Sequence, residues 1–457
     1  MKFKKIINTI FLFFILSVSS SGCVDAGWEY VAPMLNQRYG HDTVLGNDGR
    51  IYVMGGQVYN YSIPRKYNNG TFSNLVYDPK KDDWKVLEPV PGWIKGPDFF
   101  NYYDATKNKW MGIKKQKNQP NYYKITWPMK QKGQLIEITS KKLRNTDLQR
   151  QGDGVAIVSG KDGLIYWTGG NGKWGVGYGE KIVLPYDPLK MKWPDTISER
   201  IHYSPYSYGD ETVHQTNIPP MNEHRIDHEA VVTSDGKIFV MGGRHEKLKK
   251  SHRNQYVGTG EIEVLDSIEC YDPLKNSWEF RKPMINSRFL FAAVVGPDDK
   301  IYIFGGGQRS SRESHSRKVF DTTEVYDPKT DTWSYRAPMP EPRFAHAGVL
   351  GADGKIYIMG GSLGQSDSPP VKDVFIYDPV MDTWEKGPSM LLPRSTLAAV
   401  ATPDGKIYAI GGTDIGAYNL KKTINYFLPD KQKVYDGQVQ GTVEVLNINE
   451  LNQQFPK

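Results

Sequence analysis

The sequence predicts an all-β repeat fold. Three observations carry this expectation. Gly-Gly pairs follow short apolar runs, a Tyr-Asp-Pro element comes after most pairs, and a Trp falls seven residues after each of those tyrosines. The pairs are Gly55-Gly56, Gly169-Gly170, Gly242-Gly243, Gly305-Gly306, Gly360-Gly361 and Gly411-Gly412. Each first glycine lies seven residues after an aspartate: Asp48, Asp162, Asp235, Asp298, Asp353 or Asp404. Asp-Gly is a hairpin-turn signal, and the Ile-Tyr or Ile-Phe alternation that follows reads as a strand. The tyrosines are Tyr77, Tyr186, Tyr271, Tyr326 and Tyr377; their tryptophans are Trp84, Trp193, Trp278, Trp333 and Trp384. Asp-Pro opens a tight turn between two further strands. Each unit therefore reads as four antiparallel strands of one sheet, a to d, with the glycine pair ending strand b.

The interval from Gly56 to Gly170 is twice an ordinary repeat. A degenerate unit fits the gap. Phe100 to Lys115 aligns without gaps on His41 to Gly56, with Trp110 in place of Ile51 and Lys114-Lys115 in place of the glycines. That makes seven units.

These residues resemble the kelch repeat family, over about residues 28 to 457. The resemblance implies a seven-bladed β-propeller with four-stranded antiparallel blades, the second (about 93–145) degenerate. The physics agrees. One blade cannot bury both faces, so neighbours stack, and closing the ring protects the edges. The termini suggest how the ring closes. Gln453 stands where the last unit needs its Trp, whereas Trp28 precedes Met34 by six residues, as Trp278, Trp333 and Trp384 precede Met284, Met339 and Met390. Residues from Trp28 to Pro33 are expected to supply strand d of the last blade.

Composition bounds the function. The chain has 457 residues, 12% aromatic, with a formal net charge of +7. Part of that charge is Lys2, Lys4 and Lys5, so the body carries only a mild basic excess and gives no argument for nucleic acid. Two cysteines, Cys23 and Cys270, exclude a disulfide framework. The basic start, the apolar run from Ile6 to Leu16 and the small residues from Ser17 to Gly22 have the order of a secretory signal, too short to span a bilayer. Ser20 to Cys23 resembles a bacterial lipobox, making Cys23 a candidate for lipidation; cleavage before Gly27 is the alternative. The expected division is a signal segment over 1–26 and a propeller over 27–457. The expected setting is outside the cytoplasm, as a periplasmic, outer-membrane or cell-surface lipoprotein or a secreted protein. Membrane contact is expected only through such a lipid anchor.

Antiparallel order puts the d–a and b–c loops on one face, and that face holds the long insertions. Function concentrates in such loops. Arginine stands seventeen residues before the first glycine in five units: Arg38, Arg225, Arg288, Arg343 and Arg394. They are candidate ligand residues around the channel mouth, since the guanidinium fork matches carboxylates; bonding to loop carbonyls is the other use open to them. His41, His228 and His346 share one register of strand a and are added as candidates. Their non-adjacent blades argue against a metal, and no cofactor is expected. Two basic runs, Arg244 to Arg253 and Arg309 to Lys318, lie side by side on this face, with Tyr59, Tyr61, Tyr67, Tyr203, Tyr206, Tyr208, Tyr418 and Tyr426.

The expected function is a binding module for a protein or an acidic glycan. Some kelch propellers are enzymes. A copper oxidase needs a Tyr-Cys crosslink and histidine ligands that this chain lacks. The exported sialic acid mutarotase is the enzymatic alternative, with Glu223, Glu229 or His228 as acid/base group.

Overall fold

A computed structural model describes residues 27–35, 38–57, 74–87, 102–104, 109–111, 154–170, 181, 183–193, 218–250, 256–308, 318–364, 368–413 and 442–454. The elements follow chain order. β1 is Trp28–Val31. Unit one contains β2 (Tyr39–Leu45), β3 (Ile51–Gln57), β4 (Asn74–Asp78) and β5 (Asp83–Leu87). β6 (Tyr102–Asp104) and β7 (Lys109–Met111) follow, then unit three with β8 (Ala156–Ser159), β9 (Ile165–Thr168) and β10 (Val183–Tyr186). Unit four has β11 (Glu229–Val232), β12 (Ile238–Met241), a hairpin of β13 (Arg244–Lys250) and β14 (Tyr256–Val264), then β15 (Ile268–Asp272) and β16 (Ser277–Arg281). Unit five has β17 (Ala292–Val295), β18 (Ile301–Phe304), a short hairpin of β19 (Gly307–Gln308) and β20 (Lys318–Val319), then β21 (Thr323–Asp327) and β22 (Thr332–Arg336). Unit six has β23 (Ala347–Leu350), β24 (Ile356–Met359), β25 (Val374–Asp378) and β26 (Thr383–Lys386). Unit seven has β27 (Ala398–Thr402), β28 (Lys406–Ile410) and β29 (Val443–Asn447), followed by α1 (Ile448–Gln454).

The strands pair as an antiparallel propeller. The sheets run β2-β3-β4-β5, β8-β9-β10, β11-β12-β15-β16, β17-β18-β21-β22, β23-β24-β25-β26 and β27-β28-β29-β1. That is six blades, which corrects the expected seven. The aligned segment of unit two does form a hairpin, β6 with β7, in the register Tyr103 opposite Trp110. It stays a two-stranded sheet of its own. Units one and three meet directly. Tyr52, Met54 and Val76 share one apolar core with Ile157, Trp167 and Leu184, with no blade between them.

A ring of hydrogen bonds counts the blades independently. The residue two after each arginine position donates its N–H to the equivalent carbonyl of the preceding blade. Gly40 donates to Thr396 at 3.0 Å, Thr396 to Ala345 at 2.8 Å and Ala345 to Leu290 at 2.8 Å. Leu290 donates to Asp227 at 3.0 Å, Asp227 to Gly154 at 3.0 Å, and Gly154 back to Gly40 at 3.3 Å. The circle closes on six members. All six hold left-handed backbone, with φ from 50° at Thr396 to 66° at Gly154. Only glycine reaches this region freely, so Leu290, Ala345 and Thr396 are strained positions held by their neighbours.

The glycine pairs explain why unit two is left out. In five of the six pairs the second glycine donates its N–H to the carbonyl of the next blade's arginine, as in Gly243 to Arg288 at 2.9 Å, Gly361 to Arg394 at 2.9 Å and Gly412 to Arg38 at 3.0 Å. A Cβ on the first glycine would stand 2.8 Å from that carbonyl at Gly242 and 2.7 Å at Gly411. The seam is closed to any side chain there. Lys114-Lys115 cannot meet that condition.

The outer strands are held by indoles. Trp84 Nε1 donates to Ala32 at 2.8 Å, Trp278 to Pro219 at 2.9 Å, Trp333 to Lys282 at 2.9 Å and Trp384 to Ala337 at 3.0 Å, each reaching the linker that enters its own blade. Trp28 does the same, donating to Pro388 at 2.9 Å, while β1 pairs with β29 in the register Trp28 opposite Leu446. At the other face, tyrosines clamp the tight turns: Tyr52 to Asp48 at 2.8 Å and Tyr377 to Asp382 at 2.6 Å are examples.

Two outcomes test this account. Gly411→Ala adds a Cβ against backbone at φ 59° and is expected to cost roughly 2–4 kcal/mol in urea unfolding. Removing residues 24–36, which include the fourth strand of the last blade, is expected to abolish the cooperative melt. An unchanged melting point would show that β1 is dispensable for the ring.

Candidate functional site

The arginines are placed by a local rule. Each sits four residues after a buried methionine: Met34, Met221, Met284, Met339 or Met390. The methionine anchors the d–a linker in the seam and the arginine then turns back under it. All five arginines are fully buried. One fork nitrogen of each points at the carbonyl of its own blade's first glycine: Arg38 to Gly55 at 3.1 Å, Arg225 to Gly242 at 2.8 Å, Arg288 to Gly305 at 2.7 Å, Arg343 to Gly360 at 3.3 Å and Arg394 to Gly411 at 2.9 Å.

Three of them also meet a buried carboxylate on strand c. Arg225 pairs with Glu269 at 2.7 Å, Arg288 with Glu324, and Arg394 with Glu444, every side chain in these pairs being fully buried. Each glutamate also accepts from the d–a linker. Glu269 takes the N–H groups of Asn222 and Glu223, Glu324 those of Ile285 and the Asn286 side chain, and Glu444 those of Leu391 and Leu392. This satisfies both charges of a buried pair, the condition for burying them. Burial pulls Arg288 and Arg394 below the usual arginine range despite their glutamates. Burial brings Arg38, with Leu75 where units four, five and seven carry glutamate, down to about 9.

The residues that complete the network, Glu269, Glu324 and Glu444, escaped the sequence reading. The signal was present: glutamate two residues before the strand-c tyrosine in Glu-Cys-Tyr and Glu-Val-Tyr, and its counterpart in Glu-Val-Leu.

The three histidines do not converge. His41 packs on Gly411, His228 on Gly169 and His346 on Gly305, each in a different seam. His228 Nε2 lies 3.0 Å from the Thr168 hydroxyl. Burial, reinforced by the charge of the neighbouring arginine, holds His41 and His346 down at about 3 and His228 well below its usual value. They are neutral packing groups at pH 7. Among the described residues no group of three or more His, Cys, Asp or Glu side chains is placed to hold a metal.

Two carboxylates on the innermost strands matter more. Asp42 on β2 accepts the N–H of Thr43 and, across the seam, of Ile157 on β8, both at 2.7 Å. Burial pushes its carboxyl up to about 6, against the pull of those two N–H groups. Burial also raises Glu229 on β11 well above the carboxylate range, with the Asp42 charge adding to it. Glu229 belonged to the enzymatic alternative; Asp42 was not singled out. Glu223, the other carboxylate of that alternative, is bonded to Arg225 at 3.3 Å and to the Ser267 hydroxyl.

Among the described side chains of unit four's basic run, Arg244, His245 and Lys247 each face an acid. Arg244 to Lys250 of this run form β13, whose neighbour β14 carries Glu261 and Glu263; residues 251–253 lie outside the described residues. Lys247 pairs with Glu261 at 2.7 Å, His245 lies 3.7 Å from Glu263, and Arg244 pairs with Asp227 at 2.7 Å while stacking 4.6 Å over Phe289. In unit five Lys318 stacks 4.9 Å over Phe320. The rest of the second run, the loop tyrosines named above and Cys23 lie outside the described residues. Cys270 is buried, its thiol pushed up to about 12 by desolvation.

The ring, the glycine pairs and the tryptophan clamps define a kelch-type propeller. Residues 210–412 match the family model described as the KLHDC2/KLHL20/DRC7 Kelch-repeats domain. The chain is similar to Kelch-like protein 26 of Danio rerio, 28% identical over 64% of this chain and 41% of that protein. It is similar to Beta-scruin of Limulus polyphemus, 32% identical over 50% of this chain and 23% of that protein. It is also similar to the human Kelch repeat and BTB domain-containing protein 12, 29% identical over 34% of this chain and 25% of that protein. The chain thus spans between 23% and 41% of the length of these relatives.

Two further outcomes test the site. Glu324→Gln leaves the buried Arg288 without its counter-charge and is expected to cost about 3–5 kcal/mol, read from urea melts. Asp42 and Glu229 have folded values above their unfolded ones, so each destabilises the fold once pH exceeds its unfolded value. For Asp42 the loss of stability accumulates from about pH 4 through about pH 6. The melting temperature is expected to fall as pH rises through this window, and Glu229→Gln to flatten that fall.

Proposed function

We propose that this chain is a protein-interaction module that docks its partner on the loop face. One observation carries the reading. The hairpins β13–β14 and β19–β20 and every d–a corner leave the ring at one end, where the arginine network fixes their stems. Among the described residues the opposite face carries the tight a–b and c–d turns and α1. Long loops on a rigid base are the usual place for recognition. The kelch-repeat relatives support the coarse class.

The finer parts of the reading go further. The N-terminal strand β1 is proposed as the closing strand of the ring. The basic, apolar and small-residue order of the first 26 residues supports an extracytoplasmic setting, with Cys23 as lipid acceptor. A Cys23→Ala chain that still incorporates labelled fatty acid would remove the anchor from the proposal. With the five ring arginines buried, the basic residues of the loop runs Arg244 to Arg253 and Arg309 to Lys318 support an acidic surface, peptide or glycan, as what is bound.

The docking test compares three chains. Replacing residues 246–262 by a two-residue turn removes the β13–β14 hairpin. Leu274→Ser alters a c–d turn on the opposite face. A crosslinked partner captured by the parent and by Leu274→Ser, but lost without the hairpin, is the expected result. Capture that ignores the hairpin and follows Leu274 would place docking on the other face. Binding to an acidic glycan array in place of any protein would replace the class of ligand.

A further inference from the structure

Unit six departs from the arginine network in one respect. Where units four, five and seven place glutamate on strand c, unit six places Phe375. The substitution is reciprocal. Glu269, Glu324 and Glu444 each stand opposite an aromatic on the outer strand, Phe280, Tyr335 and Tyr30; Phe375 stands opposite Lys386. The linker differs too. Pro340 follows Met339, where Ile285 and Leu391 follow their methionines and donate N–H groups to the glutamate.

The consequence falls on Arg343. Its guanidinium carbon lies 4.3 Å over the Phe375 ring, so one face is stacked. Nη1 donates to the carbonyls of Gly360 at 3.3 Å and Asp373 at 2.9 Å. The remaining edge is poorly used. Nη2 reaches only the carboxylate of Glu341, at a long 3.4 Å, and Nε has no hydrogen-bond partner. Arg343 is fully buried, whereas the Glu341 side chain is 47% exposed. The nearby Asp373 carboxylate is engaged by Lys386 at 2.8 Å. Unmet donors in a dry site are costly. The Nε donors of Arg225 and Arg394 are also unmet, but their Nη2 atoms meet a buried glutamate, whereas Arg343 Nη2 leans on an exposed carboxylate. Its only carboxylate is tethered two residues away on the surface, where it can swing out into water.

We propose that this corner of unit six is a seat for an external anion: a carboxylate of the docking partner takes the Nε–Nη2 edge of Arg343 in place of Glu341. The stacked and anchored guanidinium presents two parallel N–H groups, the geometry that binds a carboxylate bidentately. Glu341 acts as the resident competitor and shields the seat when no partner is present. Only the source of the anion rests on the loop face being the docking face; the seat itself is a property of Arg343, Phe375 and Glu341.

Acetate tests the seat without any partner. The full-length chain is melted in increasing sodium acetate against chloride of equal ionic strength, as parent, as Glu341→Gln and as Glu341→Gln/Phe375→Glu. The second substitution restores the strand-c carboxylate that three other blades carry. Glu341→Gln is expected to show a saturable rise in melting temperature at several-fold lower acetate than the parent, and the double variant none. Equal acetate dependence in parent and Glu341→Gln, or a response surviving in the double variant, would overturn the proposal. Should the double variant not fold, the Arg343 Nε–Hε resonance of Glu341→Gln decides: it must move on adding acetate, and a stationary resonance refutes the seat. These results stand whether or not the hairpin governs partner capture.

Discussion

The close approach of neighbouring blades at the loop-face end is the constraint on which everything else depends. There the backbone of one blade reaches the backbone of the next with no side chain between. The glycine pairs permit it, the arginine carbonyls receive it, and the six left-handed residues from Gly40 to Thr396 complete a circle of N–H to carbonyl bonds. Backbone groups buried in that circle have no water to turn to, so each must find its partner on the next blade. A ring of this kind is cooperative. Removing one member leaves two neighbours unmet, which makes the number of blades a sharp property of the chain.

The same constraint explains the arginines. A linker that must deliver its carbonyl to the neighbouring glycine needs to be held in place. The buried Arg–Glu pairs do this in units four, five and seven, with the glutamate gripping the linker N–H groups and the arginine gripping the ends of strands b and c. Charge is buried here because the geometry satisfies it, and little of that charge is left for solvent. The loop face inherits rigid stems at the roots of its hairpins. Unit six, with a stacked phenylalanine in place of the glutamate, holds the same linker while leaving part of its guanidinium uncommitted.

The reading of the sequence succeeded where a pattern has one physical cause. Asp-Gly turns, Ile-Tyr strands and Tyr-to-Trp intervals follow from local geometry, and the blades of units one, four, five, six and seven stand where these patterns lie. The miscount came from unit two, where the apolar spacing of a hairpin was present and β6 pairs with β7 accordingly. A hairpin is not a blade. The two lysines at the glycine positions carried more information than the aligned apolar residues, since a seam excludes any Cβ there. The histidines illustrate the opposite limit. A shared register puts His41, His228 and His346 at equivalent positions, and equivalent positions in a ring face different neighbours.

The sequence by itself determined the strand units, their turns, the class of fold and the positions of the buried arginines, because these depend on contacts within one repeat. Only the tertiary structure decided how many repeats join the ring, which carboxylate meets which arginine, and that Asp42 reaches across to β8. Those contacts lie between residues far apart in the chain. Their existence depends on whether two backbones can come within hydrogen-bonding distance, a steric condition that no single repeat contains.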